Sequence, residues 1–203
     1  MGLPGTPASG SICGVPELSY RFPELTVSTP RLLIRPLHGD DAPRVSEIFA
    51  DRQTQRWLPF AAPVEELAKA WCTALAGERR ETGAGDHYGV VRHEDGELVG
   101  CMWTDRTDWS AKVTELSHVV AAPARGLGFA TEATIAVAVD LIGEHGFERV
   151  ELRVAAGNSD SRQAAEKAGF TYEGLLRNAG QAQGERVDQE MWSLTAPDLR
   201  SAR

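Results

Sequence analysis

The stretch Arg125-Gly126-Leu127-Gly128-Phe129-Ala130-Thr131-Glu132-Ala133 lies between an alternating apolar stretch and a long Ala-rich one. Its glycines and alanines keep side chains short, so successive backbone N–H groups can close on an anion. The helix that follows adds the positive end of its dipole. That is the chemistry of a pyrophosphate cradle, drawing on Arg125, Gly126, Leu127, Gly128, Phe129, Ala130 and Thr131. It is not a nucleoside-triphosphate loop, because no Gly-Lys-Ser/Thr follows, nor the dinucleotide fingerprint, which needs three glycines at other spacings after the first strand. By itself a Gly-x-Gly is also what a tight turn into a helix needs.

Four further residues have chemistry to offer. Asn158 and Ser161 open a later helical stretch, where each is either a cap or a hydrogen-bonding group for a ligand. Glu115 falls inside a predicted strand, on the same face as Ser117 and opposite His118. A carboxylate there is costly to bury unpaired, so Glu115 is either a base with a partner or one half of an ion pair, with Lys112 or Arg153 as candidates. His118 has the intrinsic pKa of a base, but a lone strand histidine is more often structural. Cys13, Cys72 and Cys101 are odd in number and lack a Cys-x-x-Cys pair, so neither a disulfide framework nor a zinc cluster is indicated. Cys101, between Val99 and Met102, and Cys72 read as small buried hydrophobes rather than nucleophiles.

The elements that must position these residues follow from periodicity. Residues 1–26 hold eight glycines and prolines and read as a mobile or surface-draped arm, followed by a domain over 27–198 and a tail over 199–203. Strands are expected over Arg31–Arg35, Tyr88–His93, Glu97–Trp103 and Val113–Val120, with Asp95-Gly96 turning the middle pair. Helices are expected from Asp40–Asp41, over Val64–Arg80, and over Gly128–Ile142, the last apolar on nearly every face and therefore buried. Val150, Leu152 and Val154 alternate with Glu151 and Arg153 in a further strand. A helix over Ser159–Ala168 follows, and then strands Phe170–Leu176 and Val187–Leu194 around a polar loop from Asn178 to Arg186. This order gives an α/β fold: a single mixed, mostly antiparallel sheet of about seven strands with helices on both faces. A doubly wound fold is excluded.

A length of 203 residues suits one domain with a tail, and a formal charge of −8 argues against a general nucleic-acid binder while suiting a cationic acceptor. No apolar run approaches the roughly 20 residues of a membrane span, and no basic-then-apolar leader is present, so a cytoplasmic protein is expected. The opening Met1-Gly2-Leu3-Pro4-Gly5-Thr6 matches the loose myristoylation pattern by coincidence.

Ordered motifs give the cradle its meaning. Arg125-x-x-Gly128-x-Ala130, Asn158-Ser159-Asp160-Ser161, Glu166-Lys167-Ala168-Gly169-Phe170 and Thr29-Pro30-Arg31-Leu32-Leu33-Ile34-Arg35 together resemble the GNAT acetyltransferase family, and within it the ribosomal-protein N-terminal acetyltransferase branch, over roughly residues 27–195. The resemblance implies acetyl-CoA as co-substrate, no metal, and direct attack by an amine on the thioester. It implies coenzyme contacts from Val119, Val120, residues 125–131, Asn158 and Ser161. Backbone N–H groups of the Val113–Val120 strand would stabilise the oxyanion, and a bulge there would open a gap against Val150–Val154 for the acyl arm. Ser161 would assist the departing thiolate, and Glu115, or else His118, would take the proton. Many relatives place a tyrosine acid seven residues after the motif asparagine; here that position is Ala165. Trp57 and Phe60 are expected beside the acceptor, either a peptide N-terminus or a small-molecule amine. Neither nucleic acid nor membrane is an expected partner, and a homodimer is left open. The alternatives are a non-catalytic acyl-CoA sensor and a transferase of another acyl group such as succinyl.

Overall fold

Eight strands form one sheet in the order β1-β2-β3-β4-β5-β6-β8-β7 in this computed structural model, which describes residues 20–201. They are β1 Val27–Ser28, β2 Leu32–Pro36, β3 His87–Arg92, β4 Leu98–Asp108, β5 Val113–Val120, β6 Arg149–Ala155, β7 Thr171–Ala182 and β8 Glu185–Thr195. Every pairing is antiparallel except β5 with β6, which agrees with the expected class. The additional strand is β1, whose two residues are too few to show alternation. β4 runs five residues past Trp103, because Thr104 and Asp105 still pair with Leu116 and Glu115 of β5 despite their polar side chains.

Two other expectations are corrected. Most of the expected loop from Asn178 to Arg186 is strand, and β7 and β8 join through Gln183 (φ 50°) and Gly184 (φ 82°). Two consecutive residues of positive φ match the twist of the flanking strands. The polar character that suggested a loop comes partly from a bulge between Leu176 and Gly180, where Asn178 sits at φ 57°. The helix expected over Val64–Arg80 is two, α3 Glu65–Cys72 and α4 Ala74–Glu81, parted at Thr73 (φ −128°, ψ −88°). The Thr73 hydroxyl donates to the Lys69 carbonyl at 2.7 Å, a back-bond that competes with the helical ladder.

The remaining helices are α1 Ala42–Ala50, α2 Arg52–Gln55, α5 Phe129–Gly143, α6 Ser159–Lys167 and α7 Ala196–Ser201. Neighbouring strand residues point to opposite faces, so contacts along β4 and β5 sort the layers. Phe49 of α1 packs on Trp103 at 6.0 Å, whereas His118, paired with Met102, meets Thr134 of α5 at 3.2 Å. Helices therefore cover both faces. α5 lies against β1, β2, β5, β6, α6 and α7, which explains its lack of a polar stripe.

The Met1–Thr6 pattern and residues 1–19 of the expected arm lie outside the described residues, as do residues 202–203. Of the rest of the arm, Phe22 and Leu25 are buried in the core, and the Phe22 N–H donates to the Arg80 carbonyl at 2.8 Å. No helix among the described residues is long and apolar enough to cross a membrane.

Candidate active site

β5 and β6 pair at only three positions, Val113 with Arg149, Thr114 with Val150 and Glu115 with Glu151, and then part. Each continues with its antiparallel neighbour, β5 with β4 as far as Val120 and β6 with β8 as far as Ala155. No register shift falls between Glu115 and Val120, so the gap opens by splaying and not through the bulge expected there; the irregularity lies across the sheet between Asp105 and Asp108. The Ala121 N–H donates to Val99 in register with this ladder, so alternation turns the N–H and C=O of Leu116, His118 and Val120 toward the gap. The Val120 carbonyl, accepting from Arg125 Nε at 3.2 Å, confirms that direction. The Val119 N–H consequently faces β4, and Val119 lines the cleft only from its other atoms. The cleft has a volume of about 730 Å³ and is lined by every candidate site residue except Leu127.

At the wide end of the gap the chain turns into α5. Gly126 (φ 76°) and Gly128 (φ 82°) both take the left-handed conformation that only glycine adopts without strain. The first N–H in this region with a well-formed bond to the chain is that of Glu132, to Gly128 at 3.0 Å; those of Gly126 to Thr131 have no such bond among the described residues. Six successive unpartnered donors at a helix N-terminus are a group that an anion can satisfy. Side chains brace it from outside. Arg31 pairs with Glu132 at 2.5 Å, donates to the Leu127 carbonyl at 2.9 Å and lies over the Phe129 ring at 4.8 Å. Burial disfavours the Glu132 carboxylate, but hydrogen bonds from Thr29 and Arg31 outweigh it and hold its pKa below the ordinary value. Leu127 itself is exposed and does not line the cleft.

Arg125 does something the spacing did not reveal. Its guanidinium donates to Asp51 Oδ1, to Gln53 Oε1 at 3.0 Å and to Thr54 Oγ1 at 2.8 Å, so it ties the cradle to α2. The Arg125 hydrogen bond, with help from the Thr54 N–H, lowers the pKa of Asp51. Gln53, Thr54 and this link lay outside the sequence reading, because their partners are more than 70 residues apart.

On the far side of the gap, Asn158 Oδ1 caps α6 by accepting the Ser161 N–H at 3.3 Å, which leaves its amide nitrogen free for another acceptor. Ser161 lines the cleft, and Ala165, in place of the tyrosine, is fully buried. Glu115 and His118 point to opposite faces as expected. Glu115 accepts from Arg106 at 3.0 Å, and Arg153 Nε lies 3.2 Å from the same oxygen but out of line for a hydrogen bond. Arg153 was a foreseen partner; Arg106 is brought in by the irregularity in β4, where it sits at φ 47°. Burial raises the Glu115 pKa, and the two guanidiniums pull it back only in part. Burial pushes His118 down to about 4, so it is neutral at neutral pH. Cys72 and Cys101 are buried, which raises the Cys72 thiol to about 12 and Cys101 well above its ordinary value and disfavours a thiolate at either; Cys13 lies outside the described residues. Trp57 and Phe60 line the cleft on the α1 side, Phe60 stacked 5.9 Å from Phe49.

A mixed sheet is split between two parallel strands, and a run of six backbone N–H groups without partners among the described residues stands at the mouth of the split. The Acetyltransferase (GNAT) domain matches residues 31–171, and the chain belongs to that family of acetyl-CoA-dependent transferases. It is 24% identical over 83% of its length to an uncharacterized N-acetyltransferase, p20, of Bacillus licheniformis, covering 95% of that protein. It is 22% identical over 89% of its length to the [ribosomal protein uS5]-alanine N-acetyltransferase of Escherichia coli K12, covering 96% of it. Mycobacterium smegmatis RimJ, solved in complex with CoA-disulfide, superposes with a TM-score of 0.78 at 22% identity over 89% of this chain and 91% of that one.

Proposed function

We propose that this chain moves the acetyl group of acetyl-CoA to the α-amine of a protein or peptide, in the cytoplasm and without a metal. The observation that carries the reading is the run of unpartnered N–H groups from Gly126 to Thr131 at the mouth of the β5–β6 gap. In this reading those groups hold the pyrophosphate, Asn158 meets the pantetheine amides, and the acyl arm lies between Leu116–Val120 and Leu152–Ala155. The inward N–H groups of His118 and Val120 donate to the thioester oxygen as it becomes an oxyanion. Glu115 takes the proton from the acceptor ammonium, a role that its raised pKa favours, and the neutral His118 faces α5 instead. Ser161 donates a hydrogen bond to the departing sulfur. A peptide acceptor is supported by the relative that acetylates a ribosomal-protein alanine.

The test is to incubate the protein with acetyl-CoA and a panel of peptides and small amines while free thiol is followed. Release with peptides beginning in small residues is expected. Tight coenzyme binding without release on any acceptor overturns the reading in favour of a sensor, and release from succinyl-CoA alone reassigns the donor.

A further inference from the structure

The cleft is roofed by a segment that no motif marks. From Asp51 the chain runs across the wide end of the gap as α2 and the residues after it, and it is fastened on both banks. On the β5 side Arg125 holds Asp51, Gln53 and Thr54. On the β6 side Gln53 Nε2 donates to Asp160 Oδ2 at 3.2 Å, and the Trp57 ring lies over Gly157, leaving 3.8 Å to the place a Cβ would occupy. Further on, the Leu58 carbonyl accepts from the Gln183 N–H at the β7–β8 turn at 3.2 Å. Gln53 is thus a bridge: its carbonyl oxygen faces a guanidinium on one bank and its amide nitrogen a carboxylate on the other, which fixes the amide's orientation. Resting on the coenzyme placement proposed above, this puts Gln53 over the path that the pantetheine arm takes from the cradle into the gap.

We propose that Gln53 is a positioning residue that latches the 51–60 strap across the loaded cleft, controlling how long the coenzyme stays and holding Trp57 and Leu58 against the acyl end. Both Gln53 and Asp160 are exposed, so the latch is weak and opens without disturbing the core. Asp160 has no basic partner within ion-pair distance among the described residues, so the amide bridge is its contact across the cleft.

The experiment uses an isosteric exchange. Gln53→Glu sets two carboxylates against each other; Asp160→Asn beside it supplies an amide donor and restores the bridge with donor and acceptor exchanged. Stopped-flow release of CoA is expected to quicken roughly fivefold in Gln53→Glu, the loss of one hydrogen bond, and to return to within about twofold of the parent in the double variant. Hydrogen exchange over residues 52–60 of the uncomplexed protein should rise and fall with it, with Tm little changed. An unaltered release rate in Gln53→Glu, or a double variant as fast as the single one, overturns the latch while coenzyme binding stands. A parent protein that binds no CoA overturns the coenzyme placement and the latch with it, whereas altered exchange without altered release refutes the latch alone.

Discussion

α5 and α6 both begin on the cleft, and they begin differently. α5 starts from Gly126 and Gly128 with six N–H groups unpartnered and no side-chain cap; α6 starts from Asn158, whose carboxamide takes the Ser161 N–H. A helix end without a cap is a deficit that a ligand can make good, whereas a capped one already has its partner and offers only side chains. The same helix-start physics thus leaves a row of open donors on one bank and a set of directed polar groups on the other.

The strongest way to break this contrast is at Gly128. A Cβ there meets nothing nearer than Arg31 Nη2 at 3.5 Å, so Gly128→Val has room in the fold, but at φ 82° a β-branched residue strains the loop that presents the donors. Acetyl-CoA affinity by calorimetry should fall more than about 100-fold in a protein that still unfolds cooperatively; unchanged affinity would mean that α5 is not the anion site. In the proposed reading the proton acceptor belongs to neither helix but to β5, as Glu115. Glu115→Gln should lower turnover near neutrality by about 100-fold and remove the acidic limb of the rate profile, partly recovered as pH rises. In the parent that limb should lie above the ordinary glutamate value, because burial raises the Glu115 pKa and the base is ionised only above it. An intact limb in Glu115→Gln makes the carboxylate a structural ion pair and directs attention to His118.

Smaller effects sharpen the α6 side. Ser161→Ala should reduce kcat about tenfold at every pH, since it removes a hydrogen bond to the leaving sulfur but nothing that ionises; a changed profile shape would contradict that role. Asn158→Asp keeps a cap and removes the amide donor, so it should leave Tm unchanged and weaken acetyl-CoA binding several-fold. Asn158→Ala should in addition destabilise the fold by about 1 kcal/mol in urea titrations. Equal affinities for the two Asn158 variants and the parent would reduce that residue to its cap.

What could be read from the residues and what could not divides along the same line. Val150, Leu152 and Val154 announce β6 by alternation, and Gly126 and Gly128 announce a turn into a helix, because those signals are local. Thr104–Asp108 hides its strand, since nearby polar residues only become strand by pairing with β5. Arg125 was visible as a motif residue, but its attachment to Asp51, Gln53 and Thr54 was not, because ion pairs between distant segments leave no periodicity. Likewise Arg153 was a foreseeable partner of Glu115 from strand adjacency, and Arg106 depended on an irregularity that its sequence does not signal.

The three-position pairing of β5 and β6 has a mechanical consequence. It makes the sheet two plates, β1–β5 and β6–β8, joined by a short weld, and α5 is the splint that touches both. Whatever fastens the first turn of α5 also tightens the join between the plates. Occupying the cradle at 100 times its dissociation constant adds about 2.7 kcal/mol to the free energy of unfolding, so melting temperature alone can report which acyl carriers the protein accepts.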